Sequence, residues 1–237
     1  MIRLPIKNRS ETYAVNPTKL IALGLNYRDH IAESASVKVT GFSNQVPDEP
    51  LLFPKTPNVL IGPDQPIVIP KFLKAYGFDH LRTDYEAELA LIIADRCKDL
   101  SVSAAMDHVF GYTCMNDVSQ RNLQNGDRSG WFRGKSLDTF GPIGPQVVRA
   151  QDLPDPQNLT IHCRLNGKTV QAANTEQMIF KIPEIVAFVS KNVTLMPGDI
   201  ILTGTPAGVG PLTHDDVVEV EIEAIGVLRN TVIDETR

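Results

Sequence analysis

An α+β fold is predicted by three features of this 237-residue chain. Its apolar runs are short, and 17 prolines and 16 glycines separate them, which suits many strands and few long helices. Only two segments carry a helical repeat. The strands and helices also fail to alternate as they would in a doubly wound sheet.

In chain order, residues 1–18 read as an N-terminal extension and 19–237 as one domain, without repeats or low-complexity linkers. Strand-like runs are KLIALGL, PLLFPK, PIVIP, YEAELALIIA, VFGYTCMN, NLTIHCRLNG, DIILTG and VVEVEIEAIG. Asn166-Gly167 is a strong hairpin signal, because both residues tolerate positive φ. Pro197-Gly198-Asp199 marks a tight turn before an apolar strand. SVSAAMDHV is expected to be a helix with Ser101 as N-cap and Val102, Met106 and Val109 on one stripe. A second helix is expected from about Pro183, with Ile182, Ile185, Val186 and Val189 facing the core.

Bulk composition excludes several classes of function. Net charge is −5, and no stripe of Lys and Arg interleaves with aromatics, which argues against nucleic acid as a partner. No apolar run approaches the ~18 residues of a membrane span, and MIRLPIKNRS lacks the apolar core of a secretory signal. Cys97, Cys114 and Cys163 form no CxxC pair and no disulfide framework, so three reduced thiols in a cytoplasmic protein are expected.

Glu86 and Glu88 stand out in DYEAELALIIA, where carboxylates interrupt an apolar run. Residues two apart on a strand share a face, ~6.6–6.8 Å apart along it, so two long side chains can converge on one ion. VFGYTCMNDVS delivers a third acid, Asp117. Three carboxylates without a Cys/His cluster suit a hard cation, Mg²⁺, Mn²⁺ or Ca²⁺. From spacing alone an exposed strand entrance is the better reading. Glu219, Glu221 and Glu223 have the same spacing, but Val218, Val220 and Ile222 alternate with them as in a half-buried strand with a solvated face.

Other polar groups offer chemistry. On a helix His30 and Glu33 share a face, so the carboxylate can orient the imidazole as a general base; a surface histidine is the plainer reading. Lys135, beside Trp131 and Arg133, can neutralise a carboxylate or an enolate oxygen, with a solvated lysine as the default reading. LTGTPAGVG offers backbone donors and the hydroxyls of Thr203 and Thr205 for gripping a carboxylate. It lacks the Gly-Lys-Ser/Thr ending of a nucleotide-binding loop. THDD, residues 213–216, reads as a polar turn.

Seven segments in order, GLNYRDHIAE, LLFPKTPNVLIGP, DYEAELALII, FGYTCMNDVSQRNLQ, WFRGKSLDTFGPIGP, MIFKIPEIVAFVS and GDIILTGTPAGVG, resemble the fumarylacetoacetate hydrolase family. The look is closest to its acylpyruvate hydrolase and oxaloacetate decarboxylase branch, and isomerases of aromatic-ring degradation share the motifs. The resemblance implies a mixed β-sheet roll with few helices, a homodimer, and a divalent metal, Mg²⁺ first, on Glu86, Glu88 and Asp117. It implies catalytic roles for His30, Glu33 and Lys135, with Gln124, Thr205 and Arg28 contacting a small 2-oxo acid. The implied reaction is hydrolysis of a C–C bond in an acylpyruvate, with decarboxylation or isomerisation as alternatives. A metal-stabilised carboxylate-binding protein is the non-enzymatic alternative. Two departures stand out. The usual DVSARDLQ reads DVSQRNLQ, with Gln120 and Asn122. The connection KFLKAYGFDHLRTD is long, a surface loop from which Lys74, His80 or Arg82 could meet a distal carboxylate, an uninvolved loop being the equal alternative.

Overall fold

The computed structural model describes residues 1–33, 45–126 and 131–236. Its central feature is a seven-stranded mixed sheet. The strands run in the order β4 (Leu51–Lys55), β3 (Leu20–Gly24), β14 (Ile200–Leu202), β8 (Ala87–Ile93), β9 (Val109–Asn116), β11 (Gly141–Arg149) and β5 (Leu60–Ile61). A five-stranded sheet orders β13 (Lys168–Asn174), β12 (Thr160–Leu165), β16 (Val217–Ile222), β17 (Gly226–Asp234) and β6 (Ile67–Ile69). Three short strands, β10 (Ser119–Gln120), β7 (Thr83–Tyr85) and β15 (Gly210–Pro211), form a small third sheet. The hairpin of β1 (Ile2–Pro5) and β2 (Thr12–Val15) makes a fourth. The α-helices are α1 (Arg28–Glu33), α2 (Arg121–Gly126), α3 (Phe132–Lys135) and α4 (Ile182–Asn192). Mixed sheets with few helices are what the sequence led one to expect.

The five-stranded sheet covers one face of the central sheet through β12, β16 and β17 against β8 and β9. Leu89, Leu91 and Ile93 of β8 therefore share a core with Ile161, Val220 and the buried stripe Ile182, Ile185, Val186 and Val189 of α4. Ala90 and Ile92 face the other way, into a second core with Leu4, Val15, Ile200 and Leu202. Burial on both faces explains why β8 reads as a continuous apolar run rather than an alternating one. No helix among the described residues is long and apolar enough to cross a membrane.

Local signals hold where they rest on backbone chemistry. Leu165 pairs with Lys168, and Asn166 (φ 52) and Gly167 (φ 79) make the expected hairpin turn. Asp199 closes the Pro-Gly-Asp turn, accepting Thr18 N–H (3.0 Å), Lys19 N–H (3.1 Å) and Met196 N–H (2.8 Å). β16 alternates half-buried and buried residues, so Glu219 and Glu221 lie on its open face. All three cysteines are free and buried.

One expected helix is wrong. SVSAAMDHV contains only a single 3₁₀ turn, Ala105–His108, and Val102 is 51% exposed. Ser101 does accept Ala104 N–H at 3.3 Å, but pairing of β9 with β8 claims Val109. One turn remains, too short to propagate a helix.

Candidate active site

Two strand ends build the centre of the site. The chain leaves β7, which pairs with β10 and β15, and enters β8, which pairs with β9 and β14. Glu86 occupies the break between them. Ala87 pairs with Asn116 at the end of β9, so Asp117 follows directly opposite. Asp117 N–H donates to Glu86 C=O (2.8 Å), and Asn116 Oδ1 accepts Glu86 N–H (2.9 Å). Glu86, Glu88 and Asp117 each bring a carboxylate oxygen within 4.8 Å of the others. Relative exposures of 4%, 1% and 0% replace the exposed-entrance reading.

Buried cations meet two of these acids. Lys135 Nζ donates to Glu86 Oε2 and to Asp117 Oδ2, both at 2.6 Å. Lys55 Nζ lies 2.6 Å from Asp117 Oδ1 and also donates to Lys135 C=O. Arg121 spans three acceptors. Its Nε reaches Asp84 Oδ2 (2.8 Å), Nη1 reaches Gln124 Oε1 (2.8 Å), and Nη2 reaches Glu86 Oε1.

The protonation of each group follows from its neighbours. Burial works to raise Glu86, but Lys135 and then Arg121 hold it well below the ordinary glutamate value. Burial likewise opposes the charge on Lys135, yet Asp117 and Glu86 push its ammonium above the usual lysine value. Lys55 is pushed down, chiefly by burial, because Asp117 offsets that only in part and Lys135 adds to it.

Glu88 is the exception. Among the described residues it has no ion pair, and Gly204 N–H (2.7 Å) is its hydrogen-bond donor. Burial, then the Asp117 and Glu86 charges, raise its carboxyl well above the ordinary value. Asp117 Oδ1 has Lys55 Nζ at 2.6 Å but no well-aligned hydrogen bond. A buried carboxylate with no cation beside it, as at Glu88, is costly to hold charged. A divalent cation among three oxygen donors would relieve it, so the residues present fit a hard metal ion.

The pocket around these acids is lined by Gly24, Leu25, His30, Phe53, Gln124, Trp131 and Thr205 as well. His30 Nδ1 is 3.4 Å from Glu33 Oε1, and Glu33 is pinned by Gly208 N–H (2.7 Å) and Val209 N–H (3.3 Å). Partial burial tends to raise Glu33, but His30 and these amides hold it below the ordinary value. Thr205 Oγ1 accepts Gln171 Nε2 (2.8 Å). Thr203 is engaged elsewhere, donating to Leu89 C=O (3.0 Å).

Backbone conformation sets this loop. Gly204 has φ +93, and a Cβ there would lie 2.8 Å from Asn26 Cβ. Glycine is therefore required where its amide meets Glu88. Asn26 ties the loop to the 25–27 segment, donating to Thr203 C=O (2.8 Å) and accepting Phe180 N–H (2.8 Å).

The structure thus gathers His30, Lys135, Gln124, Thr205, Glu86, Glu88 and Asp117, with Glu33 behind His30. Arg28 is not among them. It lines a separate cavity of about 540 Å³ with Lys181 and Glu176. Lys74 Nζ lies 3.9 Å from Asp234, and Arg82 is paired with Asp84. Sequence reading missed Lys55, Arg121, Gln171 and Asn26. Lys55 left a trace, since it lies two residues after Phe53 on the buried face of β4.

A model of the fumarylacetoacetate (FAA) hydrolase C-terminal family matches residues 19–233. The mitochondrial oxaloacetate tautomerase FAHD2A of Bos taurus is 41% identical, over 98% of this chain and 73% of that protein. Among solved structures, fumarylpyruvate hydrolase from Pseudomonas aeruginosa, in complex with Mn²⁺ and pyruvate, superposes with a TM-score of 0.85. It is 26% identical over 99% of this chain and 96% of that one. The 2-hydroxyhepta-2,4-diene-1,7-dioate isomerase from Mycobacterium marinum superposes at 0.80, with 35% identity over 96% and 82%. With its family domain covering nearly the whole sequence, the chain belongs to the fumarylacetoacetate hydrolase family.

Proposed function

We propose that the protein is a metal-dependent enzyme acting on a small 2-oxo acid through an enolate, its reaction being C3–C4 hydrolysis of an acylpyruvate. The observation that carries this reading is Glu88, a buried carboxylate without an ion pair among the described residues, within 4.8 Å of the Glu86 and Asp117 carboxylates and sharing a pocket with Glu86, Lys135 and His30. The pyruvate and Mn²⁺ in the Pseudomonas aeruginosa hydrolase support it. A divalent ion on Glu86, Glu88 and Asp117, Mg²⁺ or else Mn²⁺ or Ca²⁺, would supply Lewis-acid charge at the 2-oxo and carboxylate oxygens.

The remaining roles belong to the chain's own side chains. Lys135 stays charged and offers an ammonium hydrogen bond to the oxygen on which negative charge grows. Gln124 Oε1 already accepts from Arg121, so its amide N–H groups are left to donate to the substrate. Thr205 Oγ1 accepts from Gln171, which frees its O–H for the substrate carboxylate. His30, oriented by Glu33, takes a proton from water as the oxygen attacks the acyl carbonyl. The C3–C4 bond then breaks, its electron pair passes into the enolate, and His30 returns the proton to C3. One acylpyruvate and one water become one carboxylic acid and one pyruvate.

A second reading, interconversion of the keto and enol forms of oxaloacetate, is favoured by the 41% identity to the bovine tautomerase. It needs a proton moved at C3 and no water. The discriminating assay offers acetylpyruvate, fumarylpyruvate, oxaloacetate and 2-hydroxyhepta-2,4-diene-1,7-dioate with Mg²⁺ or Mn²⁺, and again with chelator. Metal-dependent pyruvate release from acylpyruvates is expected. Proton exchange at oxaloacetate C3 without C–C cleavage of any acylpyruvate would favour the tautomerase, and binding without turnover would favour a carboxylate-binding protein.

A further inference from the structure

The two departures from the family pattern, Gln120 with Asn122 and the long 71–84 connection, meet in space. Asn122 Oδ1 accepts Arg82 N–H (2.9 Å), while its Nδ2 donates to His80 C=O (2.8 Å). Gln120 Nε2 donates both to Arg82 C=O and to Asn122 Oδ1, each at 3.1 Å, and its Oε1 accepts Leu123 N–H (2.9 Å). Arg121 N–H adds a bond to the same Arg82 carbonyl (2.8 Å). An alanine at 120 or an aspartate at 122 would have no side-chain N–H to offer, so neither bond to the 80 and 82 carbonyls could form.

The clamped end of the connection leads into the pocket. Arg82 Nε donates to Asp84 Oδ1 (2.8 Å) and Oδ2 (3.1 Å). Asp84 is 1% exposed, and its Oδ2 also accepts Arg121 Nε (2.8 Å). A guanidinium is planar and rigid, so fixing Nε decides where both terminal nitrogens point. Here they point at Glu86 and at Gln124 Oε1. The amide of Gln124 is thereby held with its N–H₂ directed away from Arg121.

We propose that Arg82, Gln120 and Asn122 are positioning residues that act through Asp84 and Arg121 to hold Gln124 as a donor to the substrate's oxygens. The inference rests on the enolate reading above and says which parts of this chain tune it. The half-exposed end of the connection governs recognition of the substrate without touching it. Of the three acids only Glu86 meets the clamp, through Arg121, and Lys135 holds its other oxygen at 2.6 Å. Glu88 and Asp117 lie outside, so metal retention depends less on the clamp.

The test uses the whole chain and two probes, Mn²⁺ alone, then oxalate in saturating Mn²⁺, oxalate being a planar dianion shaped like pyruvate enolate. Calorimetry on wild type, Arg82→Ala and Asn122→Ala reads both affinities, with a thermal melt in parallel. Both replaced side chains are partly exposed, so folded variants are expected. Oxalate binding should weaken about tenfold, the size of one net hydrogen bond lost from the ligand, while Mn²⁺ affinity stays within about threefold. Asn122→Asp, which keeps the acceptor for Arg82 N–H, should fall between wild type and Asn122→Ala. Unchanged oxalate affinity with a lowered melting temperature would make the clamp merely structural and overturn the proposal, as would equal weakening of both probes. A wild type that binds no Mn²⁺ would instead sink the enolate reading, and the relay with it.

Discussion

Lys55 Nζ stands 2.6 Å from Asp117 Oδ1 in the interior, with both side chains fully buried. Breaking an isolated buried pair costs about 3–5 kcal/mol, and removing Lys55 leaves Asp117 with Lys135 on its other oxygen, so that figure is an upper bound here. Lys55→Met should therefore destabilise the metal-free protein by up to that amount in urea unfolding. The double variant Lys55→Met, Asp117→Asn should recover part of the loss. Additive effects of the two changes would show that the pair is not coupled.

Glu88 should trade stability for metal binding. Its folded-state carboxyl lies well above the ordinary value of 4.5, so the folded chain keeps a proton that the unfolded chain releases. Stability then falls as pH rises from the ordinary value through the folded one. Glu88→Gln has no such proton to lose. It should melt above metal-free wild type at pH 8 and near it at pH 4. Mn²⁺ at about 100 times its Kd should add about 2.7 kcal/mol to wild type and almost nothing to the variant.

His30→Ala separates the reactions. Loss of a general base costs about 10²- to 10⁴-fold, so acylpyruvate hydrolysis should drop by that order. Oxaloacetate decarboxylation needs no water and should drop much less. Equal losses on the two substrates would remove the water-activating role.

Acid should weaken the Asp199 turn. Burial opposes its charge, but Lys19, Thr18 and Met196 N–H hold the carboxyl below its ordinary value of 3.8. Its contribution is present in full above that value and is lost as pH falls through the lower folded one. Asp199→Ala should cost about 1–3 kcal/mol at pH 7, from buried donors left unmet. The stability difference from wild type, followed by denaturant melts from pH 6 to 2, should shrink toward the acid end.

How much was legible depends on where each signal lived. The α4 stripe, the Asn166-Gly167 hairpin and the Pro-Gly-Asp turn are local, and the chain alone specified them. β11 was missed because its GPIGPQVVR run carries two prolines and no clean alternation, and its strand conformation is set by pairing with β9. The 101–109 helix failed for the same reason, since strand pairing claimed its last residue. Arg121 and Lys55 gave almost no warning: a buried cation is recognised by the acid it meets, and Asp84, Glu86 and Asp117 lie far along the chain.

The sequence by itself determined the α+β class, the family motifs and, through those motifs, the three acids as candidates for one ion. Periodicity and residue chemistry are local, so they survive reading in one dimension. Only the tertiary structure decided that Glu86 and Glu88 are buried, that among the described residues Glu88 alone of the three acids has no ion pair, and that Gln120 and Asn122 clamp the 80–82 backbone. Desolvation and Coulomb energy depend on distance through space, and the strand ends at Glu86 and Asp117 become neighbours only when β8 pairs with β9.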